Sequence, residues 1–128
     1  MKVVSVVLLL LLLPFSAFAD DEVPAEIDYL LRSIGNSDCT FIRNGERHDS
    51  RAAEDHLRMK YGRAKRYAST SEKFIERLAS NSSLSKKLYY IECAGEEKVP
   101  SGDWLMERLG EYRSLSKSKS TTGNAVSQ

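Results

Sequence analysis

The chain has 128 residues, 41% of them hydrophobic and 29% charged, with a formal net charge of +1. That length supports one domain with a modest core and leaves no room for two. A balance so close to zero speaks against a nucleic-acid partner, which calls for a clearly basic domain.

Lys2, the apolar run from Val3 to Leu13 and the small-residue pattern Ala17-Phe18-Ala19 before Asp20 read as a cleavable export signal over residues 1–19. The apolar run is about half of what a membrane-spanning helix needs, so permanent anchoring is not expected. No later segment is apolar enough to cross a bilayer, and the mature chain from Asp20 is expected to be soluble and to work outside the cytoplasm. Without Lys2 it holds 18 basic and 18 acidic side chains, unevenly spread. Residues 20–55 carry four Arg or Lys against ten Asp or Glu, and residues 56–128 fourteen against eight. Such a division either pairs the two halves of one domain or steers an anionic partner to one surface.

Pro24 suits a first helical turn, and Ile27, Leu30, Leu31 and Ile34 then repeat at helical spacing up to Gly35, which predicts a helix over 24–34. Cys39-Thr-Phe-Ile-Arg43 is β-branched and aromatic enough for a strand, and Asn44-Gly45 tolerates the positive φ angles of a tight hairpin before a returning stub at 46–48. Asp49 or Ser50 caps a second helix to about Tyr67, with Ala53, Leu57, Tyr61 and Ala64 as its apolar stripe. Ser69-x-x-Glu72 has the form of a capping box ahead of Phe74, Ile75, Leu78 and Ala79, which predicts a third helix over 70–80. A serine-rich loop leads to a strand over 88–93. After Pro100 and Ser101 a last helix turns Trp104, Leu105, Leu109 and Tyr112 inwards. From Ser114 there is almost nothing to bury, so residues 114–128 are expected to form a disordered polar tail. The expected fold is α+β, about four short helices packed on a small two- or three-stranded antiparallel sheet, in a single compact domain over 20–113.

Cys39 and Cys93 end two strand-like segments, and antiparallel pairing of those segments brings the sulfurs together. In an oxidising compartment a disulfide is expected, and closing so long a loop stabilises a fold by about 4 kcal/mol in the chain-entropy model. Two buried thiols or a reactive pair are the alternatives, the latter without a Cys-x-x-Cys arrangement to support it.

Phe41-Ile42-Arg43-Asn44-Gly45, Ala53-x-x-His56-Leu57-x-x-Lys60 and Phe74-Ile75-x-x-Leu78-Ala79-Ser80-x-Ser82-Ser83-x-Ser85, in that order, resemble the YfeK-like family of small bacterial periplasmic proteins of unknown function. The resemblance spans Tyr29 to Arg113 and implies export and one compact domain. It supplies no activity, cofactor or catalytic residue. Where family members tend to continue the serine-rich loop with Gly and then, two residues on, Pro, this chain has Lys86 and Leu88. A turn requiring positive φ is strained by Lys86.

Arg58 to Tyr67 holds five cations and no acid; Arg58, Arg63, Lys65 and Arg66 point away from the apolar stripe, as in an amphipathic basic helix or an ordinary solvated face. Arg43 beside a turn suits a carboxylate or phosphate, or an internal ion pair with the acidic first half. Ser83-x-x-Lys86 has the spacing of a serine nucleophile and its lysine, but it sits in a loop without the partner motifs of such enzymes, where hydroxyls more readily satisfy backbone groups. His48 and His56 stand too far apart, across a helix start, for a common zinc pattern; a hydrogen bond at the core edge suits His56 better. No cofactor or metal is expected. The reading is a non-catalytic periplasmic interaction module that meets a protein or anionic envelope ligand through Arg43, Asn44, His56, Lys60, Ser82 and Ser83 or through Arg63, Lys65 and Arg66. The rival is a small hydrolase or transferase using His56 or Ser83.

Overall fold

The computed structural model describes residues 19–123; the expected export signal up to Phe18 and residues 124–128 lie outside the described residues. The element order is α1 (Ala19–Gly35), β1 (Thr40–Arg43), β2 (Glu46–His48), α2 (Ser50–Ala64), a 3-10 turn (Lys65–Tyr67), α3 (Ser71–Phe74) running on as a π turn (Ile75–Ala79), β3 (Tyr90–Glu92), β4 (Val99–Pro100) and α4 (Ser101–Gly123). This is the expected α+β arrangement. The sheet, however, has four antiparallel strands in the order β2-β1-β3-β4 instead of two or three. The added strand is β4, which pairs Val99 with Ile91 and Pro100 with Tyr90. Proline is tolerated there because β4 is an edge.

Helix α1 begins at Ala19 instead of near Pro24. Val23 packs against the core, and Pro24, now inside the helix in its second turn, gives up the backbone bond its N–H would have made. The predicted stripe of Ile27, Leu30, Leu31 and Ile34 is at most 1% exposed and meets Phe41, Leu57, Phe74, Leu105 and Leu109 in one core. Gly35 ends α1 where a side chain has no room, since a Cβ there would lie 1.9 Å from the Glu54 carboxylate of α2. The β1–β2 turn uses Asn44 at φ 51° and Gly45 at φ 78°, the left-handed pair that a two-residue hairpin demands.

Asp49 caps α2, its carboxylate accepting the Ala52 N–H at 2.8 Å. The expected capping box at Ser69 shifts by one residue. Thr70 is the cap and accepts the Lys73 N–H, while Glu72 is drawn away to Arg113. Helix α4 does not stop near Arg113 ahead of a disordered tail but continues to Gly123. Residues 114–123 are all exposed, and five of their hydroxyls donate back to carbonyls three or four residues earlier in place of tertiary contacts. Trp104 and Tyr112 are only half-buried at the core's margin, whereas Leu105 and Leu109 are inside it.

Antiparallel pairing of β1 with β3 sets Thr40 opposite Glu92, and one step further Cys39 and Cys93 form a disulfide with Cα atoms 4.3 Å apart. The uneven charge is used to join the halves. Arg58, expected to face solvent, bonds Asp28 at 2.9 Å and Glu54 at 2.7 Å. Arg113 bonds the buried Glu26 and also Glu72, and Ser71 donates to Glu26 at 2.7 Å. Among the described residues no helix is long and apolar enough to cross a membrane.

Candidate functional site

Side chains alternate across β1, so Arg43 shares the inward, helix-facing side with Phe41 but sits at the strand's end, past the covered core. His56 and Lys60 are four residues apart on α2 and therefore occupy one helix face. The same alternation directs Tyr89, just ahead of β3, towards the interior, its ring 5.2 Å from that of Phe41. These placements converge four side chains from three separated stretches of chain.

The Arg43 guanidinium lies 2.7 and 2.8 Å from the two ring nitrogens of His56 and donates to whichever is unprotonated. Lys60 Nζ donates to the Tyr89 hydroxyl at 3.1 Å and to the Asn81 carbonyl at 3.2 Å. Its ammonium also stands 4.9 Å from the centre of the Tyr89 ring, within cation–π range. Among the described residues no carboxylate forms a salt bridge with Arg43 or Lys60; in place of the internal ion pair, one of the two readings of Arg43, stands the imidazole.

The charges accordingly work against one another. Burial, then Arg43, then Lys86, push Lys60 down to about 8. Burial, followed by Arg43, Lys60 and His48, lowers His56 to about 4, so its imidazole is neutral at neutral pH. Burial raises the Tyr89 hydroxyl, which stays protonated. The cluster thus offers two cations, a neutral imidazole and a phenol, a set of donors suited to an oxyanion.

Of the residues expected at a site, Arg43, His56 and Lys60 come together and the others fall around or away from them. Asn44 accepts a 2.6 Å hydrogen bond from Ser85, tying the hairpin turn to the serine-rich loop. Ser82 is buried and its hydroxyl accepts the Ser85 N–H, which makes it a loop-builder. Ser83 is exposed and makes no hydrogen bond to Lys86 among the described residues. Arg63, Lys65 and Arg66 are exposed at the end of α2 and in the 3-10 turn; Lys65 stands over Tyr61 and Arg66 over Tyr67, and none bonds to the Arg43 cluster. His48 faces Glu46 at 3.8 Å and, though near enough to help lower His56, makes no hydrogen bond to it among the described residues. Among the described residues no three His, Cys, Asp or Glu side chains gather as metal ligands would. Tyr89 was not expected at the site. Its only signal was the alternation of Tyr89, Tyr90 and Ile91, which assigns Tyr89 to the inner face without revealing a partner for its hydroxyl.

Residues 21–113 match the model of a family of unknown function, DUF5329, and the chain belongs to that family. It is also 40% identical over 88 residues, 68% of this chain and 73% of the relative, to the uncharacterized protein YfeK of Salmonella typhimurium strain LT2. The resemblance drawn from the three motifs is thereby established. No solved structure matches the chain.

Proposed function

We propose that this family member is an exported, non-catalytic binding module that holds an anionic group of a protein or envelope ligand on its Arg43–His56–Lys60 face. The observation that carries this reading is the crowding of Arg43 and Lys60 around a neutral His56 with no carboxylate among the described residues to balance them. Cations left facing one another raise the local potential, and an incoming anion relieves what the fold leaves uncompensated. Export is supported by the form of residues 1–19 and by a disulfide, which persists in oxidising compartments such as the periplasm. The hydrolase or transferase reading has less behind it. His56 faces a guanidinium where a general base needs a hydroxyl and an orienting acid, and Ser83 stands in the loop without a base bonded to it.

Crosslinking in living cells, followed by identification of the captured species, tests the proposal. Arg43→Gln with Lys60→Gln is expected to abolish capture, while reversing Arg63, Lys65 and Arg66 to Glu leaves it largely intact. Binding is also expected to weaken as salt is added. Capture that survives the loss of Arg43 and Lys60 but not the triple reversal moves the site to the end of α2. Labelling of Ser83 by a serine-directed probe, or turnover lost on His56→Ala in a folded protein, reinstates the enzyme.

A further inference from the structure

The serine-rich loop carries Leu84, 96% exposed, whereas the other exposed large apolar residues among those described lie between 39% and 58%. This leucine is held out by a bonded turn. The Ser82 N–H donates to the Lys87 carbonyl at 2.9 Å and the Lys86 N–H to the Ser82 carbonyl at 3.0 Å. The hydroxyls of Ser82 and Ser85 accept the N–H groups of Ser85 and Lys87, and Ser85 anchors the loop to Asn44. Lys86 adopts φ 61°, a left-handed conformation unfavourable for a residue with a side chain. A fold that bends its backbone into a strained turn and places a bare leucine at the tip gains nothing from that leucine internally.

The surroundings are cationic. Residues 81–88 contain Lys86 and Lys87 and no acid. Beside the loop, Leu88, Ile42 and Tyr90 line a groove of about 330 Å³ on the sheet's outer face, with Lys87 and Lys98 also among its lining residues. Lys98 stands 4.8 Å from the centre of the Tyr90 ring. An apolar point followed closely by two lysines on flexible stems has the form that enters the headgroup zone of a bilayer, the leucine reaching the acyl boundary and the ammonium groups meeting phosphates. A protein socket needs some twenty or more residues on each side, far more than one projecting side chain supplies.

We propose that this loop is a membrane-docking tip in which Leu84 inserts into a bilayer bearing anionic phospholipids while Lys86 and Lys87 bind the headgroup phosphates. The inference rests on the anion-binding reading only in that the Arg43–Lys60 cluster and the loop, joined through Lys60 and Asn81, meet the same envelope surface.

The test is sedimentation of the mature chain with vesicles of phosphatidylcholine alone and of phosphatidylcholine with phosphatidylglycerol, at low and high salt. Salt-sensitive binding to the anionic vesicles only is expected. Leu84→Ser, at a site with no packing to lose, should weaken it about tenfold. Lys86→Gln with Lys87→Gln should weaken it about thirtyfold. No binding by the wild type, or binding that Leu84→Ser leaves unchanged, overturns the proposal, as does the crosslinking of position 84 to a protein in the absence of vesicle binding. Arg43→Gln with Lys60→Gln separates the two readings. If it abolishes vesicle binding that Leu84→Ser spares, the tip is refuted and the anion site stands; if it spares binding that Leu84→Ser removes, the tip stands and the Arg43 cluster must serve another ligand.

Discussion

Two arginines show what a positive charge does in this molecule. Arg113, from α4, reaches back to Glu26 of α1 and Glu72 of α3, and its guanidinium is held firmly protonated by their hydrogen bonds. The hydrogen bond from Arg113 likewise keeps the Glu26 carboxyl below its ordinary value although burial pushes it up. Arg43, at the end of β1, meets no carboxylate among the described residues; it lowers both His56 and Lys60 instead. The first charge is satisfied within the chain and fastens three helices together. The second has an imidazole and no carboxylate as partner among the described residues, and adds repulsion to its surroundings.

The strongest way to break the contrast is to remove Arg113. Arg113→Met leaves the buried Glu26 carboxylate without its partner and is expected to cost about 2–3 kcal/mol in urea unfolding, less than for a fully enclosed pair because water reaches the guanidinium. Lys60→Met is the counterpart at the unsatisfied end. Loss of a penalised charge offsets loss of the bonds to Tyr89 and Asn81, so stability at neutral pH should stay within about 1 kcal/mol of the wild type. A loss as large as that for Arg113→Met would mean that Lys60 is a structural cation after all.

The pH dependence sharpens the comparison further. Folding holds His56 near 4 against an ordinary 6.5, so the unfolded chain takes up a proton first and stability falls as pH drops from 6.5 towards 4. Lys60, held near 8 against 10.5, makes stability rise with pH between those values. Thermal unfolding across pH should show both slopes, the acidic one shallower in His56→Gln and the alkaline one absent from Lys60→Met. The smallest effect is expected from Lys86→Gly, which relieves the left-handed strain against the greater entropy of glycine and should stabilise by about 0.5 kcal/mol in the same assay. It should also raise the pKa of Lys60, since Lys86 is one of the charges that lower it.

The parts of the fold that were legible in the sequence are those where one local rule decides. Ile27, Leu30, Leu31 and Ile34 form a stripe whatever the rest of the chain does, and Asn44-Gly45 has few uses other than a tight hairpin. The cysteine pairing followed from strand ends and needed only the antiparallel register of β1 and β3. Strand β4 was invisible because two residues, one of them proline, carry no alternation. Helix starts were misjudged where a long-range contact competes with a local one, as when Glu72 abandons a capping box for Arg113. The site was half-readable for the same reason. The spacing of His56 and Lys60 puts them on one face, but which cations find a carboxylate is settled by contacts across 30 residues for Arg58 and 87 for Arg113. That is why Arg58 looked free and proved paired, while Arg43, open to either reading, meets an imidazole and no carboxylate among the described residues.

The disulfide closes the sheet at the rim opposite the Asn44–Gly45 turn. The hairpin turn and serine-rich loop are therefore shaped without covalent help, by hydrogen bonds alone, while the far rim is clamped. Before its thiols are joined the polypeptide is softer; once they have been joined it is set. Redox conditions thus decide when this small protein becomes durable, and they act at the end of the sheet away from the hairpin turn and the serine-rich loop.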